Sequence, residues 1–128
     1  MKDETKSWLD YAKENLKSAQ VLLKSNLHNP CLQNVQQCTE KALKALLIEH
    51  SYKLKKTHSI SELKNILEQI EINIELTDEN CDFLDSIYLP SKYPICNVLP
   101  YYDPNEDICK MGISIATSTL QFVQSIIK

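Results

Sequence analysis

Three lysines, Lys53, Lys55 and Lys56, stand within four positions of one another and are followed by His58. This spacing gathers ammonium groups and one imidazole at a turn. Such a group suits an anion, either a nucleotide phosphate or an RNA backbone, with the imidazole placed to move a proton. A second group lies further on, where "SKYP" sets Lys92 beside Tyr93, followed by Tyr101 and Tyr102. Tyrosine rings in a loop can stack on a base, as they do in single-strand binders. Plainer readings stand beside these. Lysines after a helix complement its dipole, a histidine next to Ser59 can fix a turn by hydrogen bonding backbone groups, and loop tyrosines pack onto a bundle.

Two absences limit the chemistry. Gly112 is the one glycine, so no glycine-rich phosphate loop, dinucleotide fingerprint or nucleophile turn can be assembled. All 14 basic residues are lysine, so an anion must be held by lysines, hydroxyls or helix N-termini without a guanidinium clamp. The cysteines, Cys31, Cys38, Cys81, Cys96 and Cys109, are odd in number and include no C-x-x-C pair. On one helix Cys31 and Cys38 would be about 10 Å apart by rise alone, beyond the roughly 7 Å reach of a disulfide. They read as buried free thiols, and no metal, cofactor or catalytic residue is expected.

The 128 residues, 43% hydrophobic and 24% charged with a net charge of −3, suit one domain over residues 1–128 with no general attraction to nucleic acid or anionic lipid. No segment has the makings of a signal peptide or a membrane span, so a cytoplasmic location is expected.

The elements that must position these residues are helices. Between Lys6 and Lys24, Trp8, Leu9, Ala12, Leu16, Ala19, Leu22 and Leu23 form one stripe. Asn29 and Pro30 then resemble an N-cap with proline at the first helical position, opening a helix that runs to about Ser51. Its apolar residues, among them Leu32, Val35, Cys38, Ala42, Leu46 and Leu47, cover two faces, with a polar stripe of Gln33, Gln37, Glu40 and Lys44 between them. The stripe is either a solvent face or a hydrogen-bonded seam in a homodimer. The seam is favoured, because a helix apolar on two sides needs two things to pack against.

Ser59 and Glu62 make a capping box for a third helix carrying Ile60, Leu63, Ile66, Leu67 and Ile70. "EINIEL" is too short for a paired strand and reads as a connector. Thr77 starts a fourth helix that should stop at Pro90. Pro90, Pro94, Pro100 and Pro104 then mark a loop or lid, and Asp103, Pro104 and Glu106 launch a last helix with Ile108, Met111, Ile115, Phe122 and Ile126. The expected fold is all-α, an up-and-down bundle of about five helices.

With the elements in this order, "QQCTEKALKALL" (residues 36–47), "THSISEL" (57–63), "SKYP" (91–94) and an acid-capped final helix resemble the HEPN domain family over nearly the whole chain. The resemblance implies a small prokaryotic helical bundle that dimerises through its long helices. It implies a minimal nucleotidyltransferase as partner, in a two-component or toxin–antitoxin system, and nucleotide binding. One branch of the family comprises metal-independent ribonucleases with an arginine followed four to six positions later by a histidine. This sequence departs from that pattern: it has no arginine, Lys92 stands where the family often has one, and His28, His50 and His58 all precede Lys92. The resemblance therefore implies a non-catalytic binding or regulatory protein. A ribonuclease with an atypical site, or a purely structural helical adaptor, stands as the alternative.

Overall fold

The computed structural model describes residues 1–54, 56–92 and 104–127, with the backbone alone for 89–92. Five helices follow in order: α1 (Asp3–Lys24), α2 (His28–Glu49), α3 (Ile60–Gln69), α4 (Asp78–Lys92) and α5 (Glu106–Ile126). No strand occurs among the described residues, and "EINIEL" is a connector that buries Ile74 and Leu76. The fold is the all-α bundle its periodicity implies.

α2 packs against every other helix, with α1 and α5 together on one part of its surface and α3 and α4 on another. This explains why its apolar residues follow no single stripe. Leu32, Val35, Leu43, Leu46 and Leu47 are all buried, each such side chain contributing roughly 1.5–3 kcal/mol by leaving water. At Gly112 α5 approaches α2 closely: a Cβ there would sit 3.1 Å from Val35 Cγ1 and 3.4 Å from Leu32 Cδ2.

α1, α2 and α3 each end in the same way. Asn26, Ser51 and Glu71 take φ of 58°, 60° and 64°. Beyond each one the chain turns back, with Leu27 N–H donating to Leu22 O, Tyr52 N–H to Leu47 O and Ile72 N–H to Leu67 O, all at 2.9 Å. These are Schellman caps, built here without the glycine that usually occupies the left-handed position. The first cap also makes the α1–α2 turn tight enough for the two helices to run antiparallel, so that Lys2 N–H reaches Glu49 Oε1 at 3.0 Å.

Several boundaries differ from expectation. Asn29 is not the cap of α2. The helix is already under way at His28, because Leu27 closes α1 and its carbonyl accepts from Cys31 N–H at 3.1 Å. Pro30 falls in the first turn, where a missing N–H leaves no helical bond unmade. α4 continues through Pro90 to Lys92, since a proline near a helix end withdraws one donor while its fixed φ suits the helix. α5 is capped by Asn105, whose Oδ1 accepts from Ile108 N–H at 2.8 Å, in place of Asp103. Asp103 lies outside the described residues, as does nearly all of the expected proline loop.

Candidate functional site

Gln36, Glu40 and Lys44 stand four residues apart along α2, so their side chains rise one above another on a single line. All three are buried. Lys44 Nζ lies 2.9 Å from Glu40 Oε2, with side-chain exposures of 8% and 9%. Gln36 Nε2 donates to Glu40 Oε1 at 3.1 Å and to the His58 carbonyl at 3.3 Å. The far side of Lys44 faces Trp8 on α1, its ammonium 5.6 Å from the ring centroid, a cation–π contact that offsets part of the cost of burying the charge.

The segment before α3 completes the site. Thr57 hydroxyl donates to Glu62 Oε2 at 2.9 Å and accepts from Ser59 N–H at 3.1 Å. Ser59 Oγ accepts from Glu62 N–H at 3.1 Å, as an N-cap does. The reciprocal half of the capping box passes through Thr57. This local lock aims His58 at α2, where its Nδ1 lies 3.2 Å from both oxygens of Glu40. A carboxylate on that side places the ring hydrogen on Nδ1, and in the neutral ring Nε2 then keeps a lone pair. His58 stacks on Tyr88 of α4, centroids 4.6 Å apart with planes at 19°.

Asp85, three residues before Tyr88, caps α3 from another helix. It accepts from Ile60 N–H at 2.6 Å, Ser61 N–H at 3.3 Å, Ser61 hydroxyl at 2.8 Å and Ser59 hydroxyl at 3.2 Å. Its negative charge lies on the positive end of the helix dipole. The N-terminus of α3 is thus already supplied with an anion. Lys56, Thr57, His58, Ser59, Asp85 and Tyr88 line an open cleft of about 370 Å³, within the range of small-molecule sites.

Of the residues expected to bind an anion, the structure brings Lys56 and His58 together. Lys53 is exposed at a separate hollow beside Lys2 and Ser51. Lys55 and Tyr93 lie outside the described residues, as does the side chain of Lys92, which ends α4. Of the stripe expected at a dimer seam, Glu40 and Lys44 are buried within this chain, whereas Gln33 is half-buried and Gln37 exposed. Gln36, Asp85 and Tyr88 are not among the expected site residues. A polar ladder at i, i+4 and i+8 on an otherwise apolar helix is the signal that marks the first of them. Asp85 and Tyr88 sit among ordinary α4 residues and give none.

Two further hollows lie along α1 and α2, one of about 560 Å³ flanked by Val21, Leu22 and Asn34, the other of about 290 Å³ flanked by Trp8, Tyr11 and Lys41. Tyr11 and Val21 leave apolar surface exposed here, as does Leu27 in the turn that follows α1, and Lys41, Asn15 and Asn34 are joined by hydrogen bonds of 2.9 Å between the two hollows. The described thiols are poor nucleophiles. Burial pushes Cys31 and Cys38 up to about 12 and Cys81 to about 11, and raises Cys109 as well. Among the described residues no group of His, Cys, Asp and Glu could hold a metal ion, and no helix is long and apolar enough to cross a membrane.

Comparison with known proteins gives this arrangement a context. The sequence model of the HEPN domain matches residues 5–126. The crystal structure of an archaeal HEPN homologue is similar over the whole of both chains, at 29% identity and a TM-score of 0.73. A protein from Thermus thermophilus matches at 24% identity and a TM-score of 0.78, covering 97% of this chain and 98% of its own. A HEPN domain protein from Thermotoga maritima matches at 20% identity and 0.68, covering 94% and 97%. No match is found among functionally curated proteins.

Proposed function

This chain belongs to the HEPN domain family, and from that premise we propose that it is a non-catalytic, homodimeric binding partner of a minimal nucleotidyltransferase and takes a nucleotide in the His58 cleft. The observation that carries the binding reading is the His58–Tyr88 stack beside Lys56. Two parallel rings offer a base a surface to stack on, and the ammonium reaches a phosphate at the rim. His58 is held in place by Glu40, so little ordering entropy is lost when a ligand arrives. The apolar surface left by Tyr11, Val21 and Leu27 on α1 and its turn supports a second subunit there, with Gln33 and Gln37 as polar candidates for the same contact. Lys53, Lys55, Lys92 and Tyr93 remain candidates for extending the nucleotide contact.

The binding reading is tested by the thermal shift of the purified chain in millimolar nucleotide. A ligand at 100 times its Kd stabilises by about 2.7 kcal/mol, and His58→Ala should abolish the shift. Light scattering and co-purification with a co-expressed nucleotidyltransferase test the rest. A monomer that ignores both nucleotide and enzyme would leave a structural adaptor.

One observation favours a second reading. Glu40 orients His58 as a carboxylate orients a general base, which suits an atypical ribonuclease. RNA cleavage by the clean protein that disappears in His58→Ala and Lys92→Ala would establish it.

A further inference from the structure

We infer that the His58 cleft selects a planar base bearing an exocyclic amino group, of the adenine or cytosine type, over its keto counterpart; this rests on the nucleotide reading above. The first-turn amides of α3 are engaged, Ile60 and Ser61 by Asp85 and Glu62 by Ser59 Oγ. An incoming phosphate therefore finds no open amide at that helix end. The Ser59 hydroxyl hydrogen goes to Asp85 and that of Thr57 to Glu62, so neither has a donor to spare. Among the described residues Lys56 is the one ammonium lining the cleft.

With the Lys56 ammonium directed to the phosphate, the capacity left on Asp85 and His58 is for accepting. Asp85 Oδ2 takes three hydrogen bonds but Oδ1 only one, from Ile60, and a carboxylate oxygen has room for about two. His58 Nδ1 faces Glu40, and Nε2 of the neutral ring is an acceptor with no partner among the described residues. The His58 side chain is 53% exposed, so its ring presents both an open surface for stacking and this acceptor. An amino group gives these acceptors the hydrogens they lack. A keto oxygen in the same place meets lone pairs and the Asp85 charge.

Adenosine and inosine monophosphate share phosphate and sugar and differ at C6, amino against keto, and at the adjoining N1, so that the adenine edge brings two amino hydrogens where the keto base brings one ring N–H. Titration calorimetry on the full chain should give adenosine monophosphate the tighter binding, by roughly ten-fold or more for a bond to an ionised acceptor. Cytidine and uridine monophosphate should rank in the same order. His58→Phe keeps a ring on Tyr88 but removes Nε2, and should lower the preference while leaving measurable binding. Asp85→Asn, where it folds, should lower it further. Equal affinities, or tighter binding of the keto partner, would overturn the inference while leaving the nucleotide reading intact. Inorganic phosphate competing as well as adenosine monophosphate would also overturn it, since the base would then contribute nothing. Binding of none of the four at millimolar concentration would remove the nucleotide reading and this inference with it.

Discussion

Glu40 on α2 and His58 ahead of α3 are joined edge to edge, with the imidazole Nδ1 3.2 Å from each carboxylate oxygen. Lys44 and Gln36 bond the same carboxylate from within α2. One buried acid thus ties the exposed turn at His58 to the centre of the bundle, and through Lys44 to the Trp8 ring on α1.

Removing that acid should cost more than the bonds it makes. Glu40→Leu strands the buried Lys44 ammonium, and loss of one member of a buried pair costs about 3 kcal/mol or more. The double variant Glu40→Leu with Lys44→Met replaces both charges by apolar groups and should recover most of the loss. Urea unfolding at neutral pH measures both. Equal midpoints for the single and double variants would show that the stranded charge is not the cause.

The cap supplied across the α3–α4 contact gives a second expectation. Asp85→Ala removes the acceptor of four hydrogen bonds from Ser59, Ile60 and Ser61. A lost cap carrying charge-assisted bonds should destabilise by about 2 kcal/mol, whereas Ser59→Ala should cost about 1 kcal/mol. Hydrogen exchange at the Ile60 and Ser61 amides should quicken in Asp85→Ala before it does in the rest of α3. Unchanged exchange there would mean that Asp85 stabilises something else.

These two residues also mark what the sequence could and could not disclose. Ser59 was readable because a cap is a local event, its oxygen and the Glu62 amide being three residues apart. Asp85 was not, because it caps a helix 25 residues away and nothing in α4 distinguishes it from a solvent acid. The stripe on α2 lies between these cases. Periodicity places Glu40 and Lys44 on one line, but it does not say whether that line meets water, a second subunit or His58. The α5 cap shows a third kind of limit. Asp103 and Asn105 are chemically near-equivalent caps two positions apart, and it is the bond to Ile108 that selects Asn105.

Acid sensitivity should include the contact between the start of α1 and the end of α2. Glu49 accepts from Lys2 N–H at 3.0 Å and Thr5 hydroxyl at 2.9 Å. The backbone bond from Lys2, followed by that from Thr5, holds its carboxyl below the usual 4.5. A group whose folded value is depressed stabilises the protein above its unfolded value and loses that contribution as pH falls through the folded one. Unfolding midpoints should therefore decline below about pH 4.5, and Glu49→Gln should be less stable at pH 7 but show a shallower decline. Parallel acid limbs for the two proteins would show that Glu49 makes no contribution there.

The three caps built without glycine offer a test of backbone conformation alone. Glu71 is exposed and holds φ at 64°, where a Cβ crowds the following carbonyl at a cost of about 1 kcal/mol. Glu71→Gly removes that crowding and should stabilise the protein by roughly 0.5–1 kcal/mol, less than the full relief because glycine also loosens the unfolded chain. Ser51→Gly should gain less, since the Ser51 hydroxyl accepts from Lys2 Nζ. Asn26→Gly should gain least, asparagine being the side chain that tolerates this region best. Glu71→Ala keeps the Cβ and serves as the control: its melting temperature should stay near that of the parent chain while Glu71→Gly rises by roughly 2–4 °C. A rise of the same size in both would trace the effect to the lost charge and not to the left-handed turn.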